Sequence, residues 1–161
     1  MRKFEKISWE IFKKEVGEDK NCYQGFSLPK LKTQNSAGYD IELLSEVTLK
    51  PGEIKKIPTG IKIMMQPDEV VFLIVRSSIG FKYNIRLCNQ VGVIDADYYN
   101  NETNEGHVWL SMQNEGENEQ VFKKGDCLVQ AIFLNPLKTD EKSGKIRKGG
   151  LGSTTGGDEN E

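Results

Sequence analysis

The sequence lacks the residues that build several common kinds of site. Its 161 residues include a single histidine, His107, and three widely separated cysteines, Cys22, Cys88 and Cys127. A zinc site normally takes clustered cysteine and histidine ligands, so any metal is expected to be a hard cation held by oxygens. An odd number of distant cysteines argues against a disulfide framework and predicts a reducing, cytoplasmic location.

Long apolar runs and a surplus of positive charge are missing as well. No apolar run approaches the roughly 20 residues that span a bilayer, and no apolar segment follows the basic N-terminus to make a secretory signal. The net charge is −2 and the pI is near 5.6, whereas proteins that grip a nucleic-acid backbone normally carry a basic surplus. Neither a membrane nor a nucleic acid is therefore expected as a partner. A small phosphate-bearing ligand needs only a few local cations.

Short apolar runs separated by turn signals predict β-strands from Asn35 onward. Alternating patterns such as Ile61, Ile63 and Met65 predict strands with one buried face. The runs 70–75 and 128–134 are apolar at nearly every position and predict strands buried on both faces. The second run contains Gln130, whose amide must bond to backbone or face a ligand. We expect an all-β fold, a jelly-roll-like barrel or sandwich.

The two ends of the chain differ from this β-rich body. The segment from Ser8 to Val16 predicts a short N-terminal helix, capped by Ser8 and stopped by Gly17. The last 24 residues include six glycines and few apolar groups, so they cannot bury enough surface to fold alone. We therefore divide the chain into a single β domain, 1–137, with a helical extension over 1–25, and a flexible glycine-rich arm, 138–161. By composition alone the arm is a disordered tail, although its glycines would also let it order over a phosphate.

Charged and polar groups that suit phosphate chemistry lie beside the predicted turns. Asp40 follows a glycine turn, and Arg76, Ser77 and Ser78 supply a guanidinium and two hydroxyls after an apolar strand. Asp95 ends another apolar run, where a carboxylate is costly unless it is paired, hydrogen-bonded or used as a general base. Each group also has a structural explanation, as a turn residue, an Asx turn or a member of an ion pair.

Five stretches, taken in order, resemble the motifs of the trimeric dUTP diphosphatase family. They are Ala37-Gly38-Tyr39-Asp40-Ile41, Arg76-Ser77-Ser78-Ile79-Gly80, Gly92-Val93-Ile94-Asp95-Ala96-Asp97-Tyr98, Gly125-Asp126-Cys127-Leu128-Val129-Gln130 and Gly149-Gly150-Leu151-Gly152-Ser153-Thr154. The resemblance implies a hydrolase that converts dUTP to dUMP and pyrophosphate with Mg²⁺. It also implies a homotrimer in which the arm reaches a neighbouring subunit's site.

The same resemblance implies a role for each matched residue. Asp95 matches the general base that activates the water attacking the α-phosphorus. Asp40 matches an acid beside the metal-bound waters, while Mg²⁺ is held mainly by the triphosphate. Asn89 matches the position that bonds uracil, and Tyr98 matches the ring stacked on deoxyribose, which disfavours a 2′-hydroxyl. The implied substrate site is completed by Arg76, Ser77, Ser78, Gly80, Val93, Gln130, Arg147, Leu151, Gly152 and Ser153.

The sequence also departs from the family's usual pattern. Leu151 stands where a phenylalanine usually caps the uracil. The usual Arg-Gly pair after Tyr98 is replaced by Tyr99-Asn100, and a polar insertion continues through Gly106. Residues 1–25 form an extension without an assigned role. Either Arg147 or Lys148 would meet the γ-phosphate.

Two other functions fit the same motifs. A dCTP deaminase-like relative would need a glutamate on the strand after the third motif, and residues 108–114 contain none. A non-catalytic nucleotide-binding regulator of the same fold would not need Asp40, Asp95 and a complete arm, all of which are present. A panel of nucleotides, assayed for pyrophosphate and ammonia, separates the three functions.

Overall fold

The computed structural model of the protein describes residues 1–141, 147 and 149. Short strands dominate this part of the chain, as the sequence predicted. In chain order the elements are β1 (Lys3–Lys6), α1 (Trp9–Glu15), α2 (Lys20–Gly25), β2 (Lys30–Leu31), β3 (Tyr39–Glu42), β4 (Val47–Leu49), β5 (Ile54–Pro58), β6 (Ile61–Met64), β7 (Val70–Val75), α3 (Ser77–Tyr83), β8 (Ile85–Leu87), β9 (Gly92–Asp95), a 3₁₀ helix (Ala96–Tyr98), β10 (Trp109–Asn114), β11 (Gln120–Phe122) and β12 (Cys127–Leu134). The predicted site residues Leu151, Gly152 and Ser153 lie outside the described residues, and so does most of the predicted arm.

The strands form a jelly-roll-like arrangement of antiparallel sheets. A five-stranded sheet has the order β2-β3-β12-β7-β9, and a three-stranded sheet has the order β5-β10-β8. Two smaller sheets pair β1 with β6 and β11 with β4. One hydrophobic cluster joins the sheets, with Leu73 and Val129 from the larger sheet and Leu87 and Leu110 from the three-stranded one. The fold class expected from the sequence is confirmed.

The alternating patterns mark buried faces, as predicted. Ile61 and Ile63 of β6 and Leu110 and Met112 of β10 are each 1% exposed or less. Side chains two residues apart on a strand share one face, so these positions supply the core side of their sheets.

The two strands predicted to be buried on both faces are covered fully on only one. In β7 and β12 the inner side chains are buried, whereas Phe72, Ile74 and Ile132 are only half-buried and Leu134 is exposed. Residues directly opposite each other across a strand pair lie on the same side of the sheet. The pairs Phe72–Ile132 and Phe72–Val93 therefore place these apolar groups on one outer face. The chain itself covers this face incompletely, which is why the prediction was wrong there.

The N-terminal extension contains more structure than the predicted helix. Helix α1 agrees with the prediction, with the Ser8 hydroxyl accepting a hydrogen bond from the Ile11 N–H at 3.3 Å and Gly17 following at φ +144°. The extension also begins with β1, which pairs along β6, and adds α2. Among the described residues, no helix is long and apolar enough to cross a membrane.

Candidate active site

A buried carboxylate and a guanidinium meet where β3, β7 and β12 run side by side. Asp40 of β3 lies opposite Gln130 of β12, and Arg76 directly follows β7. Arg76 Nε is 3.3 Å from Asp40 Oδ1, and Arg76 Nη1 donates to the carbonyl oxygen of Cys127 at 3.1 Å. This cluster unites Asp40, Arg76 and Gln130, three of the residues predicted to contact phosphate or the metal-bound waters.

Asp40 has one oxygen without a protein partner. The residue is 6% exposed, and its Oδ2 makes no hydrogen bond to any described residue. An unpartnered buried carboxylate oxygen is costly, so it normally accepts from a ligand or an ordered water. Asp40 Oδ2 therefore suits a water bound to a hard cation. Among the described residues, no three carboxylate, histidine or cysteine side chains converge to hold a metal ion by themselves.

The polar groups around Asp40 are closely packed beside Gly38 and Gln130 and are exposed to solvent at Ser77 and Ser78. A Cβ on Gly38 would lie 2.1 Å from Gln130 Oε1, so a side chain at position 38 would displace the amide. Ser77 and Ser78 begin α3 and are exposed, and Gly80 lies one turn further along. The glycine in the first motif thus makes room for Gln130, while the two serine hydroxyls face solvent.

A second cluster forms where β9 ends. Asp95 is the last residue of β9, and the 3₁₀ helix carries Asp97 and Tyr98. Arg147 Nη2 lies 2.6 Å from Asp95 Oδ2, and Arg147 Nε lies 2.9 Å from Asp97 Oδ1. Its guanidinium also sits over the Tyr98 ring, 5.6 Å from the centroid. Within one chain, Arg147 therefore covers the predicted base and the predicted sugar platform together.

Asn89, which was predicted to bond uracil, and Val93, which was predicted to belong to the substrate site, shortly precede this second cluster in the chain. Asn89 is exposed in the turn between β8 and β9, which belong to different sheets. Val93 is on β9, opposite Phe72 of β7, and is 54% exposed. Both side chains are thus exposed to solvent and accessible to a ligand or a second subunit.

The two clusters are far apart within one chain. Asp40 lies opposite Gln130, whereas Asp95 lies opposite Val70, which in turn lies opposite Leu134 at the end of β12. Four residues of strand at about 3.4 Å each and three interstrand spacings of about 4.8 Å separate the two positions by about 20 Å. Both carboxylates nevertheless lie on the outer face of the five-stranded sheet, because their opposite partners do.

A set of residues that surrounds Tyr98 was not predicted from the sequence. Tyr98 is 5% exposed, and its hydroxyl is bonded to His107 and Asn104, while Glu15 of α1 reaches the His107 ring. A lone histidine in a polar stretch was the available signal, but nothing in the spacing linked it to residue 15.

Comparison with known proteins identifies the family. The dUTPase family model matches residues 24–155. The deoxyuridine 5′-triphosphate nucleotidohydrolase of Lactococcus lactis subsp. lactis (strain IL1403) is 47% identical over 133 residues, which cover 81% of this chain and 89% of that protein. The crystal structure of dUTPase from Streptococcus mutans is 38% identical, with a TM-score of 0.69 over 86% of this chain and 98% of that one.

A more distant structure shares the fold. The structure of a mutant dUTPase from phage phi11 of S. aureus, which coordinates a structural Mg(II) ion, is 18% identical, with a TM-score of 0.66 over 89% of this chain and 95% of that one. The family model covers most of the chain, and the L. lactis relative is matched over most of its own length. The chain belongs to the dUTPase family.

Proposed function

We propose that the protein is a dUTP diphosphatase that hydrolyses dUTP to dUMP and pyrophosphate. Family membership over residues 24–155, a range that contains all five motifs, carries this proposal. The strand β10, where a deaminase-like relative would need a glutamate, has the sequence WLSMQN and no carboxylate. Hydrolysis of the triphosphate is therefore favoured over removal of an amino group.

The residue roles follow the two clusters. Asp95 is the general base, and its position at an exposed strand end leaves it reachable by an attacking water. Arg76, with Ser77, Ser78, Gly80 and Gln130, binds phosphate oxygens. Asn89 and Val93 lie against uracil, Tyr98 lies against the sugar, and Arg147 with the arm residues Leu151, Gly152 and Ser153 closes over the nucleotide.

Mg²⁺ is the proposed cofactor, and Asp40 is the residue that fits it. The unpartnered Oδ2 can accept a hydrogen bond from a water of the hydrated ion, and hard cations of this kind keep several waters in protein sites. A bound Mg²⁺ would neutralise phosphate charge. Arg76 would hold the Asp40 carboxylate in place through its contact with Oδ1.

We further propose a homotrimer with composite sites. About 20 Å separates Asp40 from Asp95 within one chain, which is too far for both to serve one α-phosphate with its metal. The outer face of the five-stranded sheet also leaves apolar groups such as Phe72, Val93 and Leu134 incompletely covered. A neighbouring subunit docked against this face would cover these groups and bring the Asp40 cluster of one chain to the Asp95 cluster of another.

Incubation with Mg²⁺ and single nucleotides should show release of pyrophosphate from dUTP. We expect little turnover of dCTP, UTP or dTTP, because the base and sugar contacts assigned above select uracil and deoxyribose. Pyrophosphate, inorganic phosphate and ammonia are measured in parallel. Inorganic phosphate with dUDP would contradict cleavage at the α-phosphorus. Ammonia from dCTP would favour the deaminase-like function, and tight binding without turnover would favour a regulator.

Light scattering should report a particle of three times the 18.2 kDa chain mass.

Complementation between two inactive variants is the sharper measurement, because Asp95→Asn and Arg76→Ala remove residues from the two different clusters. Trimers reassembled from a mixture of the two variants should regain a fraction of wild-type turnover. In some of their sites the Asp95→Asn chain supplies an intact Asp40 cluster and the Arg76→Ala chain supplies an intact Asp95 cluster. A fully active monomer would contradict the proposal, and mixtures that stay as inactive as their components would contradict composite sites.

A further inference from the structure

Two segments that depart from the family's usual pattern contact each other directly. These are the N-terminal extension, residues 1–25, and the insertion, residues 100–106. The Ser8 N–H donates to Glu105 Oε2 at 2.9 Å, and Lys62 Nζ lies 3.2 Å from the same oxygen. The Tyr99 hydroxyl, just before the insertion, donates to Glu5 of β1. The extension and the insertion therefore form one structural unit.

The residue that directly follows the insertion, His107, has a fully buried ring that is bonded to Glu15 of the extension. The Gly60 N–H donates to His107 Nε2 at 2.9 Å, so Nε2 carries the lone pair and Nδ1 carries the proton. Nδ1 then donates to Glu15 Oε2 at 2.5 Å, and Trp109 Nε1 donates to the same oxygen at 3.2 Å. Burial lowers the pKa of His107, despite the opposing effect of Glu15, so the ring stays neutral in this tautomer. Glu15 thus anchors α1 to His107 and Trp109.

The same unit holds Tyr98 at both ends of the residue. The Tyr98 hydroxyl donates to the His107 carbonyl oxygen at 3.0 Å and accepts from Asn104 Nδ2 at 3.1 Å. Asn101 Nδ2 donates to the Tyr98 carbonyl oxygen at 2.9 Å and to Asn104 Oδ1 at 2.8 Å. Burial raises the pKa of Tyr98, so the hydroxyl keeps the proton that it donates.

The insertion also packs against the Tyr98 backbone. Gly106 has φ +80°, and a Cβ there would lie 2.6 Å from the Tyr98 carbonyl oxygen. Only glycine lets the chain turn at this point and approach so closely. Movement of the insertion would therefore move Tyr98.

We infer that the N-terminal extension and the insertion together act as a brace that fixes Tyr98 for selection of the sugar. This inference rests on the proposed role of Tyr98 as the deoxyribose platform. A tyrosine ring stacked on the sugar rejects a 2′-hydroxyl only if the ring cannot move away from the added oxygen. Tyr98 is restrained at its hydroxyl, at its backbone carbonyl and by the insertion that packs against its backbone. Asn104, His107 and Glu15 are positioning residues, since they act through Tyr98 rather than on the nucleotide.

Asn104→Ala tests the direct contact. It removes the donor to the Tyr98 hydroxyl and the oxygen that accepts from Asn101 and from the Gly106 N–H. One of these bonds is made to the Tyr98 side chain itself, so KM for dUTP should rise about three- to ten-fold, the effect of about one hydrogen bond. We expect kcat to change less than about two-fold and the ratio of kcat/KM for dUTP over UTP to fall with the rise in KM. The exposed Asn118→Ala is the matched control and should leave both parameters unchanged. A ratio that stays at the wild-type value would overturn the inference.

A double-mutant cycle tests the longer connection from α1. Glu15→Ala should lower the dUTP/UTP ratio, whereas Glu15→Gln keeps an acceptor for His107 and Trp109 and should retain most of it. Glu18→Ala, an exposed carboxylate just after α1, is the control. In a Tyr98→Phe background, which cuts the bond to His107 but keeps the ring, Glu15→Ala should cause no further change. Additive effects would show that Glu15 acts by another route.

Binding and melting measurements separate the possible failures. Affinities for non-hydrolysable dUTP and UTP analogues, taken well below each variant's Tm, report the brace without requiring turnover. Variants that melt earlier but keep the wild-type preference for the deoxyribose analogue would make the brace purely structural and overturn the inference. A wild-type protein that prefers the dUTP analogue but hydrolyses neither nucleotide would refute the proposed function and leave the brace standing.

Discussion

Replacing Asp95 with asparagine should lower turnover about 10²–10⁴-fold while leaving nucleotide affinity largely unchanged. Asparagine keeps the shape of the side chain and can still hydrogen-bond a water, but it cannot accept that water's proton, and general-base assistance has this typical size. Affinity should survive because Arg76, Asn89, Tyr98 and the arm supply most of the proposed nucleotide contacts. Turnover, affinity for a non-hydrolysable dUTP analogue and Tm should be measured on one preparation.

Asp97→Asn is the matched control for this substitution. Asp95 and Asp97 are both exposed, and each pairs with Arg147. Loss of an exposed ion pair costs only about 0–1 kcal/mol, and both variants share that loss. Only Asp95 is proposed to accept a proton, so Asp97→Asn should cost far less turnover. A variant at Asp95 with wild-type turnover would exclude it as the base, and a lower Tm with joint loss of binding and rate would make it a structural turn residue.

The strands and the motif positions could be predicted because their signals are local. Alternation at Ile61 and Ile63 reports which face of β6 is buried, and a cap at Ser8 with a glycine at position 17 marks the ends of α1. These patterns depend on residues a few positions apart, so they can be recognised in the sequence before any tertiary contact is known.

The arrangement of the site could not be predicted, because it depends on which strands pair. Asp40 and Asp95 belong to one motif set, yet the register of β3, β12, β7 and β9 places them about 20 Å apart in one chain. The apolar runs of β7 and β12 predicted burial on both faces, and that pattern does not say whether this chain or a partner covers the outer one. The contact of Glu15 with His107 joins residues 92 positions apart, with no periodicity to reveal it.

Ending the chain after Lys145 should leave a folded protein with little turnover. Within the described residues the last strand, β12, ends at Leu134, and the hydrophobic core includes no residue after Phe133. The removed residues 146–161 carry only two large apolar groups, Ile146 and Leu151. Tm should therefore change little. The deleted segment carries Arg147 and the glycine-rich fifth motif, whose cation and backbone N–H groups would act where negative charge develops on the phosphates. Losing one such donor typically costs about 10²–10³-fold in kcat, so losing the whole segment should cost at least that much.

Point variants in the full-length chain divide this effect between Arg147 and Lys148. In the described structure Arg147 is paired with Asp95 and Asp97, and surface pairs of this kind are weak enough for a triphosphate to displace them. If Arg147 moves to the γ-phosphate, Arg147→Ala should reproduce much of the loss in kcat, and Lys148→Ala should change it little. The reverse result would assign the contact to Lys148 and leave Arg147 as a partner of the two aspartates. Normal turnover in the truncated protein would reduce the arm to a disordered tail, because no catalytic group could then reside in it.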